Sequence, residues 1–161
     1  MSDITTRPKR REVNAAPQRY VLDEQIGFRL RIAMQRHTDI FFKNMVFCLT
    51  QPQFAALARL LNEGPCSQNY LGRSISLDSA SMVGVISRLR ARGFINVTRD
   101  KKDRRRAVID LTATGRMVVK KAIARGLIAN EITLNPLSAQ ESQILIELLR
   151  KLTPSEIDLD N

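Results

Sequence analysis

Residues 78–112 read DSASMVGVISRLRARGFINVTRDKKDRRRAVIDLT, and this stretch decides the reading of the chain. Its composition predicts a helix, a glycine stop and two short strands around a basic turn. Asp78 or Ser79 is placed to cap the helix, and Gly93 is the residue that lets the chain leave it. Val83, Ile86 and Leu89 follow helical spacing and are expected to face a core. That register leaves Ser79, Ser81, Met82, Val85 and Arg88 on the opposite side. These are small hydroxyls, flexible or compact apolar groups and one arginine, a set that can enter a groove and touch base edges. Residues 94–99 and 107–111 alternate in a β-rich pattern, so the charged segment between them is the tip of a hairpin. From Arg88 to Arg106 there are nine Lys/Arg against two Asp, a surplus of seven in a chain whose net charge is +10. A helix followed by a basic hairpin suits duplex DNA, the helix reading the major groove and the hairpin meeting phosphate.

The rest of the chain has to aim this unit. At 161 residues, with 43% hydrophobic and 26% charged side chains, it is long enough to bury a core and has a globular rather than disordered composition. Working upstream, Thr50 and Gln53 fit a capping box with Pro52 in the first turn. Phe54, Leu57, Leu60 and Leu61 form the stripe of the helix they open, which Gly64-Pro65 ends. A short helix from Ser67 to about Arg73 follows, with Tyr70 and Leu71 inward, and residues 74–77 connect it to the Asp78 helix. Helix, short helix, turn, second helix and hairpin is the order of a winged helix-turn-helix.

Long helices flank this lobe. Residues 20–47 keep Ile26, Leu30, Ala33, Met34, His37, Ile40 and Phe41 on one face, while Arg29, Arg36 and Lys43 recur every seven residues as a basic line. That line is either a solvated stripe or the anion-binding rim of an apolar cavity. After the hairpin, Thr112 or Thr114 caps a helix reaching about Thr133, with Val118, Ala122, Ile123, Ile128 and Ile132 on its apolar side and Gly126 a weak point. Asn135-Pro136 breaks it. Ser138 and Glu141 then open a last helix with Leu145, Leu148, Leu149 and Leu152 along one side. A small winged lobe cannot cover so much apolar helix, so a two-fold helical dimer interface is expected. The fold class is mainly α with a small β-hairpin: a winged helix-turn-helix lobe plus a long-helix dimerisation lobe.

The run Arg99-Asp100-Lys101-Lys102-Asp103-Arg104-Arg105-Arg106, then Ile109-Asp110-Leu111-Thr112 and Gly115, resembles the wing signature of the multiple-antibiotic-resistance-regulator (MarR) family. Gly93-Phe94-Ile95 and the opening of the last helix from Leu137 to Glu141 match as well. The family often has Pro in the wing turn, where this chain has Lys101-Lys102. The resemblance covers roughly residues 20–152. It implies a homodimeric transcription regulator, usually a repressor, that binds a pseudo-palindromic DNA operator and releases it when a small molecule binds. Residues 1–18, with the basic run at 7–11, are then a flexible arm. Residues 19–152 form the winged-helix domain, with dimerisation helices at 20–47 and 112–152 and a DNA-binding lobe at 50–111. Residues 153–161 are an acidic tail.

By the same resemblance Arg105 reaches into the minor groove, flanked by Lys102, Arg104 and Arg106, with Asp103 orienting an arginine. Ser67 and Gln68, opening the short helix, are placed as phosphate donors. An effector cavity is implied between the first long helix and the winged lobe, walled by Met34, His37, Phe41 and Phe54. With Arg29, Arg36 and Lys43 nearby, it would take an anionic aromatic effector, an aromatic acid or its coenzyme A thioester. No cofactor or metal is expected. One His, no metal-spaced His/Cys set and no phosphate loop argue against an enzyme. No apolar run approaches a membrane span, and the beginning of the chain lacks the apolar core of a signal peptide, so a cytoplasmic protein is expected. The competing readings are a ligand-independent nucleic-acid binder, which the charge alone would satisfy, and a redox switch through Cys48 or Cys66. Cys48 lies in the apolar run Val46-Phe47-Cys48-Leu49, expected to be buried and unreactive.

Overall fold

The computed structural model describes residues 20–99 and 107–153. The basic arm, the wing-tip residues Lys102, Asp103, Arg104, Arg105 and Arg106, and the tail from residue 154 lie outside the described residues.

Six helices and a three-stranded antiparallel sheet follow a 3-10 turn at Leu22–Glu24. They are α1 (Ile26–Asn44), α2 (Gln51–Glu63), β1 (Cys66–Ser67), α3 (Gln68–Ser74), α4 (Ser79–Ala91), β2 (Ile95–Arg99), β3 (Ala107–Leu111), α5 (Ala113–Leu134) and α6 (Ala139–Leu152). Side chains start most of these helices as the sequence indicates. Thr50 and Gln53 close a reciprocal box at α2, and Ser138 and Glu141 do the same at α6. Ser67, Asp78 and Thr112 accept from the third backbone N–H of α3, α4 and α5. The sheet order is β1-β3-β2, with Ile95 opposite Leu111 at one end of the hairpin and Arg99 opposite Ala107 at the other. The two-residue β1 is an addition to the expected hairpin: Cys66 and Ser67 pair with Ile109 and Val108. It fastens the start of α3 to the wing.

The core lies inside the winged lobe. Leu57 and Leu60 of α2, Leu71 of α3, Met82 and Leu89 of α4, Ile95 and Ile109 of the hairpin and Val119 of α5 are all fully buried. Outside the lobe packing thins. Phe41 is the one buried residue of α1, and α6 buries none. Ile26, Leu30, Ile128, Ile132, Leu148 and Leu152 are exposed, so α1, the distal half of α5 and α6 present bare apolar faces. Val118 and Ala122 on α5 join the core as expected, whereas Ile128 and Ile132 lie beyond it.

Lobe and arms meet at Thr112. Its backbone N–H donates to the Phe94 carbonyl (3.1 Å), and its hydroxyl donates to the Gly93 carbonyl (2.7 Å) while accepting from the Gly115 N–H (2.9 Å). Gly93, at φ +68°, turns the chain out of α4. One residue thus ties the end of α4, the wing and the start of α5. Gly115 allows it: a Cβ there would sit 1.9 Å from the Phe94 carbonyl oxygen. Gly115→Ala is therefore expected to cost about 3 kcal/mol or more in urea unfolding, because a backbone group must move rather than a side chain. Gly27→Ala, where nothing lies within 4 Å, stays within about 1 kcal/mol of the parent and is the matched control.

Candidate nucleic-acid interface and effector cavity

Helices α3 and α4 are joined by a tight turn through Ser76, at φ +53°. Leu77 precedes the Asp78 cap and Met82 lies four residues past it, the spacing of a hydrophobic staple. Met82 is in the lobe core and Leu77 packs against it. Met82, Val85, Ile86 and Leu89 face inward, with Met82 1% and Val85 3% exposed. This corrects the sequence reading, which set Met82 and Val85 on the groove face and Val83 in the core. Val83 is 55% exposed. The run Met82-Val83-Gly84-Val85-Ile86 is apolar throughout, so periodicity alone allowed a register one residue off.

The outward face of α4 carries Ser79, Ala80, Ser81, Val83, Ser87, Arg88 and Arg90, all exposed. A cleft of about 820 Å³ brings Ser67, Gln68, Asn69, Arg73 and Ser79 together, with Ala107 of β3 at its edge. A second groove of about 510 Å³ runs between α4 and the wing along Gln68, Val83, Ser87, Arg90 and Val97. The expected Ser67, Gln68 and Ser79 thus share one surface, with Ser81 and Arg88 on the same helix. Val83, Ser87, Arg90 and Asn69 are the members that sequence reading missed. The slipped register hid Val83, and Ser87 and Arg90 follow from it at helical spacing. The α4 N-terminus points into this surface, capped by Asp78, whose carboxylate accepts from Ser81 N–H at 2.9 Å. Hydrogen bonds from the Ser81 hydroxyl and N–H hold the Asp78 carboxyl below its ordinary range.

On the other side of the lobe, α1, α2 and α5 enclose a cavity of about 350 Å³. Met34, His37, Phe41 and Phe54 lie on its wall, joined by Gln51, Ile123, Leu127 and Asn130. Phe41 and Phe54 stand 5.8 Å apart between ring centres. The Phe54 ring rests against Gly126, where a Cβ would approach it to 3.0 Å, so the supposed weak point of α5 is a packing contact. His37 Nδ1 lies 2.9 Å from the Thr133 hydroxyl, whose hydrogen goes to the Ala129 carbonyl at 2.7 Å. The hydroxyl therefore accepts from His37 Nδ1–H, the tautomer in which Nε2 carries the lone pair.

The basic line is not on this cavity. Arg36 donates to the carbonyls of Thr133 (2.7 Å) and Ile132 (3.3 Å), closing the C-terminal end of α5. Arg36 and Lys43 border a separate cleft with Arg31 and Asp39, and Arg29 is exposed and lines neither. Position 36 is one helical step, 100°, from position 37, enough to turn it away. Cys48 also departs from expectation. It is exposed, in a turn where Phe47 and Cys48 both adopt left-handed φ (59° and 47°) and Arg92 donates to the Phe47 carbonyl. Cys66 is half-buried, and burial, then the Glu63 charge, pushes its thiol up.

A three-helix lobe with an antiparallel wing, presenting a capped helix beside a β-hairpin, is a winged helix-turn-helix domain. Residues 49–107 match the MarR family. The HTH-type transcriptional repressor NicR of Pseudomonas putida is 35% identical over 140 residues, covering 85% of this chain and 87% of that protein. A probable transcriptional regulator from Pseudomonas aeruginosa superposes with a TM-score of 0.80 at 42% identity, covering 82% of this chain and 99% of that one. Bordetella bronchiseptica BpsR, solved to explain regulation of its DNA binding by 6-hydroxynicotinic acid, superposes at 0.82 with 34% identity, covering 86% and 100%. The chain belongs to the MarR family of transcriptional regulators. Among the described residues no helix is long and apolar enough to cross a membrane.

The Asp78 cap has a titration signature. Its folded-state pKa is lowered, so its contribution to stability is complete above the ordinary aspartate range and is lost as pH falls through the folded value. Asn caps equally well without titrating. Urea unfolding of Asp78→Asn is expected to match the parent at pH 7 and to weaken less as pH falls below the ordinary aspartate range. Parallel acid limbs would show that ionisation of the cap adds nothing to stability.

Proposed function

We propose that this chain is a homodimeric repressor that releases its operator when a single-ring aromatic acid enters the cavity between α1, α2 and α5. The observation that carries this reading is the cavity's position. It lies on the seam between the helices that carry the bare apolar faces and the lobe that holds α4. A ligand there acts on the relative position of the two. In a two-fold dimer that position sets the spacing of the two α4 helices, which has to match one turn of DNA. Pairing of two copies through α1, distal α5 and α6 covers the exposed leucines and isoleucines. The wing-tip arginines Arg104, Arg105 and Arg106 then meet the duplex beside α4, as the family resemblance implies.

Support for the effector class comes from both geometry and relatives. NicR is named a repressor, and BpsR is regulated by 6-hydroxynicotinic acid. The 350 Å³ cavity suits one substituted ring and leaves a coenzyme A nucleotide outside. Aromatic walls from Phe41 and Phe54 stack on such a ring, and His37 Nε2 accepts from a ring hydroxyl or N–H. No lysine or arginine lines the cavity among the described residues, so the acid group is met from its open side.

Anisotropy titrations at fixed salt would compare the duplex upstream of the protein's own gene with scrambled DNA. Each would be run with 6-hydroxynicotinate, 4-hydroxybenzoate and unsubstituted nicotinate. A specific complex dissolved by the hydroxylated acids and not by nicotinate is the expected outcome. His37→Ala should raise the effector concentration needed by about tenfold, the loss of one good hydrogen bond, and leave ligand-free DNA affinity unchanged. Equal affinity for both duplexes, unmoved by any acid, would return the chain to the class of general nucleic-acid binders. The exposure of Cys48 keeps a thiol switch as the second reading. Peroxide treatment that leaves the complex intact removes it.

A further inference from the structure

Helix α4 holds a glycine where helix propensity disfavours one. Gly84 lies at the middle of the helix, opposite the buried Met82, Val85, Ile86 and Leu89. Along that outward line Ala80, Gly84, Ser87 and Ala91 carry nothing longer than a hydroxymethyl. Glycine in a helix interior is unfavourable relative to alanine, so some other constraint favours it here.

The space over Gly84 is filled from one turn later. Long helical side chains lean toward the N-terminus, over the residue four positions earlier. Arg88 does this: a Cβ at position 84 would stand 3.2 Å from its Nη2, 3.4 Å from Nη1 and 3.6 Å from Cζ. The guanidinium therefore packs against the bare backbone at residue 84, in the centre of the exposed face. Among the described residues nothing claims its charge. Helix α4 has no acidic residue, and among the described residues Arg88 has no carboxylate partner.

We propose that Gly84 and Arg88 form one reading device: glycine leaves a seat in which the guanidinium is held low across α4, and the seated fork donates to N7 and O6 of a guanine in the major groove. This rests on the DNA-binding reading above and deepens it by naming the base and the residue that positions its reader. Geometry supplies the selectivity. The fork is planar and pairs with guanine through two parallel bonds, so it tolerates little displacement. A methyl at position 84 is tighter than ordinary contact and pushes the guanidinium outward by a few tenths of an ångström, out of register with the two acceptors.

The test uses duplexes selected by the parent protein from a random pool, with binding read by anisotropy at fixed salt. Gly84→Ala is expected to keep or raise the melting temperature while losing about tenfold in affinity for the selected site and nothing for random DNA. Replacing guanines one at a time by 7-deazaguanine should cost the parent about tenfold at one position per half-site and cost Arg88→Ala nothing there. In the Arg88→Ala background the further change Gly84→Ala should have no effect on binding. If Gly84→Ala weakens binding equally with and without Arg88, the methyl itself obstructs DNA and the proposal falls. It falls too if no guanine shows a 7-deaza effect. A pool that yields no preferred sequence overturns the operator reading itself, and this proposal with it.

Discussion

The hydroxyl of Thr112 is the constraint on which the rest of the architecture hangs. It gives its hydrogen to the carbonyl at the end of α4 and takes one from the first turn of α5, while the backbone N–H beside it holds the wing. Helix α4, the hairpin and the long helix leading out of the lobe are thereby referred to a single residue. Gly115 lets α5 start close enough for this to happen. A rotation of α5 cannot be absorbed by a slack loop, because there is none at that junction.

The packing on either side of this joint is unequal. Inside the lobe, leucines, isoleucines, valines and a methionine from four helices and the sheet form one buried cluster. Outside it, α1 and α6 expose the surface that a core would hide. A cavity between a tightly packed body and a loosely packed one is where a ligand of modest size shifts an equilibrium most readily. The dense side has much packing to lose by deforming, and the sparse side little.

Much of this was legible in the residues. Every helix start that a side chain secures was visible, since the Ser/Thr/Asp caps and their third-residue partners are local patterns. The wing was visible because charge density, alternation and a glycine stop coincide between Arg88 and Thr112. What escaped depends on partners distant in sequence. The register of α4 follows from the staple of Leu77 with Met82, in a run whose apolar composition left the facing side open. Arg36 looked like an anion rim because nothing nearby reveals that its acceptors are carbonyls 96 and 97 positions away. Strand β1 is two residues long and exists through its pairing with β3. The candidate cavity wall was foreseen in Met34, His37, Phe41 and Phe54, but the contributions of α5 to it were not.

The separation of surfaces has an evolutionary consequence. On α4 the side chains facing outward, from Ser79 to Arg90, take no part in the core, so replacing them costs little in folding and, on the proposed function, changes what is read. The cavity wall has no such freedom. Phe41 is buried, and Phe54 is wedged against the backbone of Gly126, so a substitution that reshapes the pocket also disturbs the packing of α1 and α2 on α5. Under the proposed function, descendants of this chain can drift to new DNA sequences through single tolerated steps, whereas a change of chemical signal requires compensating steps elsewhere. Lineages built on this scaffold should therefore diversify in their targets sooner than in what they sense.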